Sequence, residues 1–347
     1  MYRCHQSIIR VVIIRGHLRG EILVRALASL VKGTDLPSVS CNERNQSMAC
    51  PPANDYTDSI DYCDYSEKET EMRLGGPLFQ NYSDADAWVA ALRERGYRAA
   101  YCPVQQVDEA IHAYMQAADK AGILIAEVGI WNNPLNRDEQ ERRQAISYCQ
   151  QRLALADALG ARCCVNISGS RAKIWDGPDP DNLTNETFDL IVETVRMIID
   201  AVKPTRTFYT LETMPWLYPD SADSYEKLLR AIDRKQFAIH FDPANLVNSP
   251  QRYYHNGELI RDFVSRLGPH IKSCHARDVV LTAGYLPLHL DECRPGLGYL
   301  NYRVFLKELQ RVDPDMPLML EHSPREEDYT LAAEYIRQFA RDVEVPI

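Results

Sequence analysis

A (β/α)8 TIM barrel of the α/β class, preceded by a poorly structured N-terminal extension, is the architecture this sequence predicts, and three observations carry it. The chain has 347 residues with ordinary globular composition, 45% hydrophobic and 25% charged, enough for one large domain. From Met72 onward, strand-like apolar runs alternate with amphipathic stretches eight times, the count and size of such a barrel. A doubly wound sheet would alternate too, but the first strand-to-helix turn, "GGPLFQNYSD", lacks the GxGxxG phosphate fingerprint.

The strand-like runs are, in order, "MRLGGPLF" (72–79), "AAYCPV" (99–104), "GILIAEVG" (122–129), "RCCVNIS" (162–168), "TFYTLET" (207–213), "FAIHFD" (237–242), "IKSCHA" (271–276) and "PLMLEH" (317–322). Between them lie helical stretches such as "SDADAWVAALRERG", with Ser83 as the expected N-cap. "RDEQERRQAISYCQQRLALADALG" is expected to close on Gly160, and "TNETFDLIVETVRMIIDAV" reads as another helix. The loop "RPGLGYLNY" (294–302) reads as a glycine-hinged lid.

Residues 1–71 differ from the remainder. The first 32 hold six basic residues against Glu21, and the next 39 hold nine acids against two bases. "PPANDYTDSIDYCDYSEKETE" has no helical or strand period, so the extension is expected to be disordered or loosely packed, with Met72 as a candidate native initiator. Residues 72–347 form the expected catalytic domain.

The net charge of -10, with no basic stripe in the body of the chain, argues against a nucleic-acid partner. Arginines interrupt the most apolar N-terminal run, "IIRVVIIRGHL", so neither a membrane span nor a secretory signal is expected. Ten cysteines show no CxxC pairing, and Cys102, Cys163, Cys164 and Cys274 sit inside apolar runs where a thiol behaves as a small hydrophobe. A cytoplasmic protein is the resulting expectation, with a homo-oligomer left open.

Chemistry on a barrel belongs at the C-terminal ends of the strands. The last four runs place there Glu212, Asp242, His275 and Glu321. Each alone has an ordinary reading as a solvated rim acid or a hydrogen-bonded core imidazole. Together they read as ligands of one divalent cation, which also explains a carboxylate at the end of the half-buried run "AIHFD". Three carboxylates with one imidazole suit Mn²⁺ most simply, with Mg²⁺, Co²⁺ or Zn²⁺ as alternatives.

Further substrate-side candidates are His240, two residues before Asp242 on the same strand face, Asn245, and Arg277, two residues after His275. Glu127 and Asn166 lie on the third and fourth runs, and Trp131 and Trp216 follow the third and fifth, where aromatics pack against sugar rings. "GSR" (169–171) is a short glycine loop with the composition of an anion holder.

Through "GYRAAYCP", "AEVGIWNNPL", "LGARCCVNISGSR", "LETMPW", "HFDPANL", "CHARD", "RPGLGYLNY" and "MLEHSP", residues 72–347 resemble the xylose-isomerase-like barrel superfamily of sugar and sugar-phosphate isomerases and epimerases. The resemblance implies a metal-dependent enzyme that abstracts a proton next to a carbonyl through a metal-stabilised enediolate. Glu212 and Glu321 would then be ligands and also the acid/base pair. A small sugar or sugar phosphate is the implied substrate, and no membrane or nucleic acid is implied as partner. The alternative at the same site is a lyase, dehydratase or deglycosidase acting on a keto-sugar or inosose.

Two other readings rank lower. An apurinic endonuclease of this barrel type needs more histidines, whereas here the second run ends "YCPV", the third "AEVG", and Asn245 stands three residues after Asp242. A non-catalytic sugar-binding barrel would not need all four ligands.

Overall fold

The computed structural model describes residues 71–284 and 286–347. The expectation of a loosely packed extension over 1–71 therefore lies, apart from Glu71, outside the described residues.

Parallel strands cannot be joined by tight turns, so each barrel strand is followed by a crossover that usually carries a helix. The strands are β1 (Arg73–Gly75), β2 (Ala99–Tyr101), β3 (Leu124–Gly129), β4 (Cys163–Asn166), β5 (Tyr209–Glu212), β6 (Phe237–Phe241), β7 (Ile271–Ala276), β8 (Asp278–Leu281), β9 (Leu290–Cys293) and β10 (Pro317–Leu320). Eight of them close in the order β1-β10-β7-β6-β5-β4-β3-β2, and every pairing in this ring is parallel. Each expected run contains one of these strands. The remaining two, β8 and β9, form an antiparallel hairpin in the β7-to-β10 connection that the sequence reading did not anticipate.

The helices are α1 (Ala85–Glu94), α2 (Ile111–Ala121), α3 (Glu139–Leu159), α4 (Asn185–Val202), α5 (Ala222–Ile232), the short α6 (Pro250–Tyr254), α7 (Asn256–Leu267), α8 (Tyr302–Val312) and α9 (Glu326–Asp342). Asp84, not Ser83, caps α1, because its carboxylate accepts from the Ala87 N–H while the Ser83 hydroxyl only donates to Asp84. α3 ends as expected on Gly160, whose φ of 68° lies in the left-handed region that costs a side chain most. Thr184 caps α4 through the Thr187 N–H. Among the described residues no helix is long and apolar enough to cross a membrane.

The main core lies between strands and helices, with Trp88, Leu153, Ile198, Tyr225, Phe241, Phe263 and Phe305 almost wholly buried. Inside the ring the polar residues face one another. Side-chain alternation puts Thr210 and Glu212 of β5, His240 of β6, and Ser273 and His275 of β7 on one face, and the ladder sets Glu212 beside His240 and His240 beside Ser273. Two irregularities adjust this face. Between β2 and β3 the register skips Ala126, so that Tyr101 opposes Glu127, and between β6 and β7 it skips Lys272. Such bulges re-aim side chains, and here Glu127 comes to rest against His240 and His275.

Candidate metal centre

Glu212 closes β5, Asp242 follows β6 directly, His275 lies near the end of β7, and Glu321 follows β10 directly. These four strands are neighbours in the ring. One ligand atom from each residue can be chosen such that all four lie within 4.8 Å of one another. Asp242 and His275 are fully buried, and the Glu212 and Glu321 side chains are 6% and 12% exposed.

The imidazole of His275 organises the group. Its Nδ1 stands 2.9 Å from Glu212 Oε1 and 2.7 Å from Glu321 Oε1, while its Nε2 stands 3.2 Å from Glu127 Oε2. Glu127, wholly buried on β3, also takes His240 Nε2 at 2.9 Å on its other oxygen, which accepts the Ser273 hydroxyl as well. With Glu127 on one ring nitrogen, His275 is oriented to present the other to Glu212 and Glu321.

Arg277 is the second organiser. Its guanidinium donates from Nε, at 2.7 Å, and from Nη2 to Asp242 Oδ2, and it lies 3.2 Å from Glu321 Oε1 and 3.8 Å from Glu212 Oε1. Its Nη1 faces Glu292 Oε2 on β9 at 2.9 Å and His322 Nδ1 at 3.0 Å. The other oxygen of Asp242 accepts the Ala244 and Asn245 N–H groups at 2.9 and 3.3 Å.

Charges this close move one another's titrations. Burial acts on Glu212 to raise its pKa but is outweighed by His275, with Arg277 and His240 assisting, and the group falls to about 2. Glu127, whose burial is likewise outweighed by His240 and His275, lies far below the usual carboxylate range. Asp242 goes the other way, to about 6, because burial and the Glu212 and Glu321 charges exceed the help from Arg277. Burial lowers His275, but Glu321, Glu127 and Glu212 together hold it well above the ordinary imidazole value.

The donor set fits a divalent ion. Three carboxylates crowd one buried spot, and the buried Glu321 Oε1 makes no hydrogen bond although it lies beside His275 Nδ1. His275 and Arg277 face that atom, yet three carboxylates packed this closely repel one another and are costly to bury unless a further cation joins them. Hard oxygens with one imidazole form a set that Mn²⁺, Mg²⁺, Co²⁺ or Zn²⁺ accepts.

The other residues singled out from sequence divide into two groups. Asn245, Arg277 and Trp216 line a cleft of about 550 Å³ together with Asn248, Leu288, Leu290 and Glu292. Asn245 Nδ2 reaches toward Glu212 Oε1 at 3.4 Å, and the Trp216 indole donates to the Asp176 carbonyl at 2.7 Å, leaving the ring at the cleft wall. Trp131 is 40% exposed, with its ring centroid 6.1 Å from that of His275. Its backbone φ of 54°, like the 53° of His322 next to Glu321, is a left-handed conformation that costs such residues about 1–2 kcal/mol and so concentrates where function requires it.

Glu127, His240 and Asn166 are buried behind this wall. Asn166 is engaged with Asn132, giving 3.0 Å from Nδ2 and accepting the Asn132 N–H at 3.1 Å. Glu127 and His240 meet the quartet through His275 rather than through the cleft. In the "GSR" loop, Arg171 donates to the Leu135 carbonyl at 2.5 Å and Ser170 bonds to the Gly177 carbonyl, so both hold the loop itself. The "RPGLGYLNY" loop is stapled rather than free: Asp278 accepts the N–H groups of Gly296, Gly298 and Leu300. Glu292 and His322 were missed. Glu292 lies on the unanticipated hairpin, while His322 stands beside Glu321 in "MLEHSP", where its adjacency was the available signal.

The sequence model for a "Xylose isomerase-like TIM barrel" matches residues 77–339. No curated protein matches the chain. Among solved structures, the fold is similar to the probable 3-DHS dehydratase from Bacillus anthracis (15% identity, 78% of this chain and 98% of that one, TM-score 0.56). It is similar also to a xylose isomerase-like TIM barrel protein from Mycobacterium smegmatis in complex with magnesium (16%, 80% and 98%, 0.56). A third is D-psicose 3-epimerase from Clostridium cellulolyticum H10, solved with D-tagatose (14%, 78% and 99%, 0.56).

Proposed function

The chain belongs to the xylose isomerase-like TIM barrel family, and from that premise we propose that it is a divalent-metal-dependent isomerase or epimerase of a small keto-sugar. The observation that carries this reading is the convergence of Glu212, Asp242, His275 and Glu321 from four neighbouring strands. These four residues would hold the ion, with Mn²⁺ the first choice. When bound, the ion polarises a substrate carbonyl and offsets the negative charge that develops on its oxygen.

The chain's own groups do the rest. Glu212 and Glu321 act as the acid/base pair: the one that is ionised takes the proton from the carbon next to the carbonyl, the one that carries a proton gives it to the enediolate, and exchange with solvent resets the pair. Return to the opposite face of the same carbon gives an epimer; when one carboxylate instead carries the proton to the adjacent carbon while a hydroxyl proton passes between the two oxygens, the result is aldose-ketose exchange. Glu127 keeps His275 oriented through Nε2, and Trp131 and Trp216 present ring faces to the sugar. The relatives named as a D-psicose 3-epimerase and as a magnesium complex support both the reaction class and the ion. Described cysteines that are all free thiols, including Cys102 and Cys293, are compatible with a reducing cytoplasm.

The test is product analysis by NMR in D₂O, with ion-loaded protein and a panel of ketoses and inososes. Solvent deuterium should enter the sugar at the reacting carbon with no loss of water. Product that has lost water or an aglycone would move the protein to the lyases.

A further inference from the structure

We propose that Glu292 is a specificity residue that closes Arg277 to anions, so that the cleft takes an uncharged, unphosphorylated keto-sugar; this rests on the isomerase or epimerase reading above. Arg277 is the only lysine or arginine lining the cleft among the described residues. A sugar phosphate or sugar acid entering there would need its guanidinium. That guanidinium is already surrounded. Asp242 holds Nε and Nη2, Glu321 stands 3.2 Å from Nε, and Glu292 Oε2 lies 2.9 Å from Nη1. Glu292 therefore sits where an anionic substrate group would form its charge-assisted bond.

The charge balance points the same way. The guanidinium of Arg277 already faces Asp242, Glu321 and Glu212, so its charge is engaged before any substrate arrives. Glu292, 40% exposed at the mouth of the cleft, then leaves the entrance negative. Burial tends to raise its pKa, but His322 and Arg277 outweigh burial and keep it ionised at neutral pH. Its neighbour His322 Nδ1 stands 3.2 Å away, so that imidazole is also engaged. A phosphate monoester, which carries about -1.5 to -2 at neutral pH, would meet a like charge before it met a cation. The remaining lining, the amides of Asn245 and Asn248 with the faces of Trp216, Leu288 and Leu290, suits hydroxyls and the apolar side of a sugar.

The test uses the full-length chain loaded with Mn²⁺ and a matched pair of inert probes, D-sorbitol and D-sorbitol 6-phosphate, titrated by calorimetry. The neutral polyol should bind at least about tenfold more tightly than its phosphate. Glu292→Gln, first checked for native circular dichroism and melting temperature, should narrow that gap about tenfold by tightening the phosphate relative to the polyol. A phosphate that binds the wild-type chain as tightly as the polyol overturns the proposal. So does a ratio unmoved by Glu292→Gln, or binding of neither probe. Selective polyol binding without deuterium exchange into any ketose would instead leave this inference standing and remove the proposed reaction.

Discussion

Glu212 and Glu321 differ from the other two ligands in what their loss should do. Asp242 is locked by Arg277 and two backbone N–H groups, and His275 by Glu127, whereas the Glu212 and Glu321 side chains keep 6% and 12% of their surface exposed. Glu212→Gln and Glu321→Gln should each lower kcat by about 10²–10⁴-fold, as expected for removal of a general acid or base, with an unchanged circular dichroism spectrum. Turnover within a few-fold of wild type would remove that residue from the acid/base pair. Proton competition is the second expectation at this scale. His275 without the ion holds its proton well above the ordinary imidazole range, since three carboxylates outweigh its burial, and an ion needs the neutral ring. Metal affinity should therefore rise with pH through and beyond the imidazole range and fall on acidification, with proton release seen as buffer-dependent heat in calorimetry. Affinity flat between about pH 6 and 8 would contradict this.

The strands that bear the site were legible because burial on both faces makes each a distinct apolar run, and a polar residue at its C-terminal end stands out. "AIHFD" and "LMLEH" are such cases. What was not legible depended on contacts between segments distant in sequence. Glu127 reads as a cleft residue until the β2-β3 register, with Ala126 skipped, sets it behind His275. Glu292 carries no local signal because β8 and β9 are short strands that pair only with each other. Arg277 has Asp278 as its neighbour in sequence. The structure gives it Asp242, Glu321 and Glu292 while Asp278 turns to backbone. That staple has its own consequence. Asp278 is buried and accepts four N–H groups, from Val279, Gly296, Gly298 and Leu300. Asp278→Ala should cost about 3 kcal/mol or more, read as a lower denaturant midpoint, because several buried donors lose their acceptor at once. A change under about 0.5 kcal/mol would show that the loop does not depend on it.

At the scale of the molecule, closing the barrel brings β5, β6, β7 and β10 side by side, so residues more than a hundred positions apart in sequence meet at one point. The same closure concentrates like charges, with Glu212, Asp242 and Glu321 in one spot that His275 and Arg277 chiefly offset. An ion that binds this spot in the folded state stabilises the fold by mass action, by about 2.7 kcal/mol at a hundredfold excess over its Kd. Stripping with EDTA should thus lower the melting temperature by roughly 5 °C or more, and Mn²⁺ should restore it. An EDTA-insensitive melting curve would favour a barrel that binds without metal chemistry.

The most direct measurement is Mn²⁺ binding followed by the loss of the free-ion electron paramagnetic resonance signal, for the wild-type chain and for Asp242→Ala, with both proteins shown to be folded. The account predicts about one tight site per chain in the wild type and none in the variant, because removing one of the shared ligands should cost far more than the 10- to 100-fold of an indirect contact. Equal, tight Mn²⁺ binding by both proteins would contradict it.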